Sequence, residues 1–519
     1  MPYASAVILE NGVIRTMDPS LPVARALAIA GEWVAGGVGT HERALASPEH
    51  VDLRGRCVVP GLADAHTHFP TWALARGEIR LEDTGTLEEA LARVGEAASR
   101  LEPGHWLRGR GWRSGDWSPS TEPTRQALDA VTGDVPAALL ARDSHSLWLN
   151  SAALARANGD LAVPGGVVEL DRRGEPTGVL REESAWHFRD TCIEIPDDEW
   201  VEATRAGLRV ANARGVTSVH DKDGWLGAFR FFQRLRREDA LTLRVWQSLP
   251  HGMLPQLAEL GVRSGFGDDL LRLGYLKVFM DGTLGSQTAR LLDGSGVQIT
   301  SREELAEIVR RAARAGWPVS VHAIGDLANR EALDAFEETA EEWRPRGLRQ
   351  RIEHAQLLAP EDVERFGRLG VAASVQFSHA PSDRDLAERF WGDVTGRAYA
   401  FRSLRESGAL LANGSDAPIE ELDPLAGIVA GVLRTLDDRP GWHLEQAVTV
   451  EDALAATTVN PAWLTGDERR RGKLLPGFLA DLVVLDRDPI ACEPAELSEV
   501  RVVATMVGGR WVHNPPPWN

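Results

Sequence analysis

The chain has 519 residues, 43% apolar and 26% charged, enough for more than one core and ordinary for a soluble globular protein. Its 57 Lys and Arg against 76 Asp and Glu leave a net charge of −19, a field that argues against nucleic acid or an anionic membrane as a partner. No segment approaches the roughly 18 uninterrupted apolar residues of a membrane-spanning helix. Cys57, Cys192 and Cys492 lie too far apart for a zinc ribbon or disulfide scaffold, which suits a reducing cytoplasm.

The amino terminus, MPYASAVILENG, lacks a basic region followed by a long apolar run, so no secretory signal is expected. The stretches SAVILENG, GVIRTMD and ALAIAGEWVAGG alternate short apolar runs with turn signals, as strands do. GFLADLVVLDRDP and VVATMVGGRWVH have the same texture near the carboxyl end. Residues 1–56 and 470–519 are therefore expected to build one small composite β domain, a sandwich. Seventeen Trp against three Tyr read as scattered packing residues.

From 57 to 469 the pattern becomes strand, then helix. Strands are expected at 57–65, 215–221, 241–249, 273–281, 317–323, 349–355, 370–377 and 408–416, with helical patterns such as 301–316 and 359–370 between them. Eight such repeats predict a (β/α)8 barrel of the α/β class, a doubly wound open sheet being the alternative. The first gap is too long for one helix, so an insertion is expected at about 70–205. It carries the strand-like AALLARDSH and the helical DDEWVEATRAGLRVANARG, and is expected to cover one mouth of the barrel.

Active sites of such barrels lie at the carboxyl ends of the strands, where the unexpected polar residues of this sequence fall. Strand one ends in His66-Thr67-His68, strand five in His322, strand six in His354 and strand eight in Asp416. Side chains alternate along a strand, so His66 and His68 point to one side and make half of a divalent metal site. Taken singly, the histidines also read as satisfied core residues and Asp416 as a turn or cap residue. Together, at the ends of strands in one ring, they favour a metal centre. In GYLKVFMDGT, Lys277 shares a face with Tyr275 and Phe279, while Leu276, Val278 and Met280 share the other. A buried lysine near positive charge has a lowered pKa and becomes a nucleophilic amine, able to add carbon dioxide and form a carbamate. The alternative is a lysine paired with Asp281 or Asp326.

These residues carry a resemblance. HxH after strand one, Lys on strand four, His after strands five and six, and Asp after strand eight resemble the pattern of the amidohydrolase superfamily. The segments VVPGLADAHTH, GWRSGDW, DSHSLWLNSAAL, GVTSVHD, KVFMDGTLGSQTA, VHAIGD, RIEHAQ, NGSDAPIE and PGFLADLVVLDRDP are similar to the amidohydrolase-3 or YtcJ-like group, which includes N-substituted formamide deformylases. Two positions depart from that group's pattern, Gln287 where Arg is usual and Phe377 where Pro is usual. The resemblance implies His66, His68, Lys277, His322, His354 and Asp416 as the metal set, holding one or two Zn²⁺ ions, with a carboxylated Lys277 as the bridge.

The expected chemistry is metal-assisted hydrolysis of an amide-like C–N bond in a small N-acyl or N-formyl molecule. Metal-activated water attacks, and Asp416 serves as general base and then acid. His220 and His379 are further catalytic candidates. His145, Trp112, Asp281 and Gln376 are candidates for contacting substrate, and Asp281 and Asp326 also for orienting histidines. The same barrel could instead isomerise or decarboxylate, or serve as a binding scaffold. A homodimer is a possible assembly. No HExxH, GxSxG or GxxxxGK[ST] motif supports another script.

Overall fold

A computed structural model of the protein describes residues 6–35, 49–101, 104–141, 146–157 and 159–518. Eight parallel strands form one ring: β1 (Leu62–Thr67), β2 (Val216–Asp221), β3 (Arg244–Pro250), β4 (Leu271–Phe279), β5 (Val319–Ala323), β6 (Arg351–His354), β7 (Ala372–Val375) and β8 (Leu411–Asn413). Each pairs with the next in chain order. The ring closes just beyond β8, where the Asp416 amide donates to the His66 carbonyl at 2.7 Å. Closure needs a glycine there, because a Cβ on Gly414 would stand 2.4 Å from the His66 nitrogen. The open doubly wound alternative is thereby set aside.

Alternation along β4 sorts the barrel into an outside and an inside. Leu276, Val278 and Met280 join Leu305, Val309 and Ala312 of the helix Arg302–Ala315 in the outer core. Tyr275 packs inside with Ala65, Trp246, Ala372 and Ala412. The helix begins at Ser301, whose side chain accepts from the Glu304 amide, a cap worth about 1 kcal/mol. It ends at Gly316 in the left-handed region. Helix Pro360–Leu369 ends likewise at Gly370.

The expected strand 57–65 is two strands. Cys57–Pro60 pairs antiparallel with Leu482–Leu485, and Gly61 turns the chain into β1. Pro60 has no N–H to continue a ladder, and a Cβ on Gly61 would collide with Thr217 at 2.2 Å. Strands from both ends of the chain make two further sheets. One has six strands, in the order Arg510–His513, Val502–Val507, Leu482–Leu485, Cys57–Pro60, Val13–Arg15, Val23–Ala24; the other has four, Trp33–Val34, Leu27–Ala30, Ala6–Glu10, Glu49–Asp52. Their facing apolar residues, including Leu9, Leu27, Ile29, Ile14, Val58, Leu482 and Met506, form one core. A buried ion pair ties this layer to the barrel, Arg244 Nε of β3 lying 2.7 Å from Asp481 Oδ2.

Residues Ala73–Ala203 form a second compact unit. It holds a six-stranded sheet, in which Leu107–Trp112 and Ala137–Ala141 are parallel neighbours, and a core in which Trp112, Trp117 and Trp148 pack on one another with ring centres 6.0 to 6.4 Å apart. Here the tryptophans are packing residues. Among the described residues no helix is long and apolar enough to cross a membrane.

Candidate metal centre

The barrel brings the whole predicted metal set to one pocket of about 380 Å³: His66, His68, Lys277, His322, His354 and Asp416. His66 Nε2 is 3.2 Å and His68 Nε2 3.5 Å from Asp416 Oδ1. The rings of His322 and His354 have centres 4.5 Å apart, and those of His66 and His354 4.8 Å.

His354 reaches the pocket against the strand rhythm. Arg351 and Glu353 face the barrel interior, so alternation would turn His354 outward with Ile352, which lies in the outer core. A φ of +74° at His354 breaks the alternation and swings the imidazole back. Asp416 also has a left-handed φ, +56°. Non-glycine residues in this region carry strain that the surrounding structure must sustain.

Each histidine has its outer nitrogen occupied. His66 Nδ1 donates to Glu353 Oε2 at 2.7 Å, His68 Nδ1 to Asp223 Oδ1 at 2.8 Å, and His354 Nδ1 to Gln376 Oε1 at 2.9 Å. His322 uses its other nitrogen, Nε2 donating to the Gly282 carbonyl at 3.0 Å. The acceptors fix the tautomers, so Nε2 of His66, His68 and His354 and Nδ1 of His322 carry free lone pairs. Burial holds His66 and His354 below the usual imidazole range, and burial with the nearby Lys277 takes His322 down to about 3. Burial also works against charge on His68, but Asp223 and Asp416 outweigh it and raise that group. Burial would raise Asp416, yet His66, His354 and His68 keep its carboxyl well below the ordinary value.

Lys277 is 3% exposed, and its Nζ has no hydrogen-bond partner among the described residues. The pairing with Asp281 or Asp326 is not formed: Asp281 accepts from the amides of Ile324, Gly325 and Arg290, and Asp326 from that of Leu292. The amine lies 4.9 Å from the centre of the Phe279 ring, and burial lowers its pKa to about 8 although Glu353 and Asp416 pull the other way. Imidazoles whose outer nitrogens are locked, a buried carboxylate and an amine unpartnered among the described residues form a donor set that fits a divalent cation. The ligand atoms of His66, His68 and Asp416, and those of His354, His379 and Asp416, each lie within 4.8 Å of one another.

The other candidates fall in different places. His379 lines the pocket; Gln356 Nε2 donates to its Nδ1 at 3.2 Å, so Nε2 carries the hydrogen, and that buried N–H has no partner among the described residues. Gln376 touches His354 and so acts through it. Asp281 Oδ1 is 3.8 Å from His322 Nε2 but is engaged with backbone amides. His220 is not in the pocket: its Nδ1 faces Arg351 Nη1 at 3.1 Å, and it lines a small cavity with Thr458 and Asp481. Trp112 lies in the core of the second unit, its indole donating to the Leu139 carbonyl. His145 lies outside the described residues.

The sequence reading passed over a buried charge network beneath the histidines. Glu353 accepts from His66, from Lys222 Nζ at 2.7 Å and from the Ser320 hydroxyl, with Arg351 Nε 2.9 Å away. Lys222, Arg351 and Glu353 are fully buried. The available signal was three charged residues on expected inner strands, in HDKDG and RIEH. Asp64 is the other member missed; it accepts from the amides of His66 and Ser415 and from the Ser415 hydroxyl.

Comparison with known proteins agrees with this geometry. The amidohydrolase family model matches residues 49–513. The chain is 30% identical over 506 residues to the putative amidohydrolase YtcJ of Bacillus subtilis, covering 93% of this chain and 94% of that one. It is 28% identical to the N-substituted formamide deformylase of Arthrobacter pascens, covering 97% of each. The crystal structure of an uncharacterized metal-dependent hydrolase from Pyrococcus furiosus superposes with a TM-score of 0.80 at 30% identity, covering 93% of this chain and 100% of that one. A ring of eight parallel strands with histidines and an aspartate gathered at their carboxyl ends, and a family match over nearly the whole length, lead to one conclusion: this chain is an enzyme of the amidohydrolase family, with the metal-dependent hydrolases as its structural kin.

Proposed function

We propose that the protein hydrolyses an amide-like C–N bond in a small N-acyl or N-formyl molecule in the cytoplasm, with His66, His68, His322, His354 and Asp416 holding one or two Zn²⁺ ions. The observation that carries this reading is the arrangement of four imidazoles, each with its outer nitrogen locked, around one buried carboxylate. A bound Zn²⁺ supplies a Lewis acid and lowers the pKa of water from 15.7 towards about 7. Asp416, held ionised by its histidines, accepts the proton of the attacking water and returns it to the leaving nitrogen. His379 presents its Nε2–H to the substrate oxygen, an oriented donor where negative charge develops. The Lys277 amine adds carbon dioxide, its nitrogen bonding the carbon and releasing one proton, which yields an anion with two oxygens suited to holding a second ion. The relative named for deformylation of N-substituted formamides cleaves a bond of this type, which supports the choice of substrate.

Elemental analysis of the purified protein followed by a screen of N-formyl and N-acyl amides tests the reading. Bound zinc and turnover of at least one amide are expected, with both lost in His66→Ala with His68→Ala. Full metal content and activity in that variant would overturn the assignment.

A further inference from the structure

We propose that Asp383 makes this pocket selective by charge: it admits amides whose amine part bears an apolar or cationic substituent and turns away those bearing a carboxylate. The inference rests on the hydrolase reading and adds the class of substrate to it. Besides the metal-centre residues the pocket is lined by the apolar side chains of Phe279, Leu284, Ile324, Leu386 and Ile419. Leu386 and Ile419 are exposed there, which offers an apolar chain a surface to cover.

Among the described residues lining the pocket no arginine is found, and Lys277 is the one lysine. That amine lies deep, beside Glu353 and Asp416, so it cannot serve a carboxylate carried at the outer end of a substrate. Asp383 lies in the wall instead. Its Oδ2 accepts from the Tyr399 hydroxyl at 2.6 Å, which fixes the carboxylate, and its Oδ1 makes no hydrogen bond among the described residues. Glu420 stands close enough to feel both Asp383 and His379. A substrate carboxylate held away from the metal-centre residues would meet like charge with no lysine or arginine beside it among the described lining residues, in a cleft poorer in water than bulk solvent. An ammonium, or the amine released by cleavage, would meet the free oxygen of Asp383.

Three probes with the same acetamide and the same six-carbon chain, differing only at the far end, isolate the effect: N-hexylacetamide, monoacetylated diaminohexane and N-acetyl-aminohexanoate. Binding to the metal-loaded protein is read by calorimetry and cleavage by amine release. The neutral and cationic probes are expected to exceed the anionic one by roughly 30-fold or more in both readouts. Asp383→Asn, which keeps an acceptor for Tyr399, should narrow that ratio about tenfold, and Leu386→Arg on the exposed wall should raise binding of the anionic probe. Equal or better binding of the anionic probe by the wild type, an unchanged ratio in Asp383→Asn, or no binding of any probe would overturn the proposal. Binding in the expected order without cleavage would leave charge selectivity standing and sink the hydrolase reading instead.

Discussion

His66 Nδ1 lies 2.7 Å from Glu353 Oε2, joining two buried residues 287 positions apart in the chain. The other oxygen of Glu353 takes Lys222 Nζ at 2.7 Å. One carboxylate therefore connects β1, the end of β2 and β6, and sets the orientation of an imidazole at the candidate metal centre. Burial would raise the Glu353 carboxyl, but Arg351, Lys222 and His66 hold it well below its ordinary value.

Glu353→Gln removes the charge while nearly keeping the shape. It leaves Lys222 and Arg351 buried without an anion, so a loss of about 3–5 kcal/mol of stability is expected. Metal affinity should fall about 10–100-fold because His66 loses its negatively charged acceptor, and the one oxygen left on Gln is contested by Lys222. Chemical denaturation and zinc titration read the two effects separately. Adding Lys222→Met should recover part of the stability and none of the metal affinity.

Lys277 is buried without a hydrogen-bond partner among the described residues, an arrangement that costs stability and is retained at functional sites. Lys277→Met keeps an apolar stem beside Phe279 and should raise the stability of the metal-free protein by about 1 kcal/mol while lowering activity about 100-fold. In Lys277→Ala, activity restored by a short carboxylic acid would support the carbamate. Unchanged activity without added acid would refute it.

Phe377, read from the sequence as a departure from an expected proline, is held by a hydrogen bond and by packing. Its amide donates to Asn413 Oδ1 at 2.9 Å, and its ring packs edge-on against Phe401 with centres 5.0 Å apart. Phe377→Pro deletes the donor and most of the buried ring, so a cost of about 3 kcal/mol or more is expected. Phe377→Leu keeps the N–H and should cost roughly half as much. Equal losses in the two variants, measured in denaturant, would show that the hydrogen bond contributes nothing.

The Arg244–Asp481 pair gives a pH signature. Burial would raise the Asp481 carboxyl, but Arg244 outweighs it and lowers the group. A carboxyl with a depressed folded pKa contributes stability in full above its unfolded pKa of about 3.9, and loses it as pH falls through the folded value. The stability difference between wild type and Arg244→Met should therefore be largest near neutrality, about 3–5 kcal/mol. It should shrink as the pH drops below about 4. A difference that grew on acidification would reverse the assigned sign.

Much of the architecture was open to a reading of residues alone, because period-two apolar runs and capped helices are local properties. The helix Arg302–Ala315 lies within one residue of the SREELAEIVRRAARAG pattern at either end, since Ser301 and Gly316 mark its termini chemically. The inner and outer faces of β4 followed from alternation in the same way, with Tyr275 inside and Leu276 outside. The strand written as 57–65 could not be divided from sequence, because the division at Gly61 depends on Leu482–Leu485, more than 400 residues away, claiming Cys57–Pro60.

At the candidate site, the positions of His66, His68, Lys277, His322, His354 and Asp416 at strand ends could be read from the sequence, since topology places strand ends together. Their orientation could not. His354 enters the pocket only because its φ is positive, and its free nitrogen is chosen by Gln376. Trp112 and His220 had comparable claims as letters, yet one fills a core and the other faces Arg351 inside the barrel. The sequence by itself determined which elements form and which residues stand at their ends, because propensity, periodicity and capping act over a few residues. Only the tertiary structure decided which nitrogen of each histidine at the candidate centre is free, that Glu353 binds both His66 and Lys222, and that the Lys277 amine has no hydrogen-bond partner among the described residues. Those outcomes depend on burial and on hydrogen bonds between residues brought together by closure of the ring.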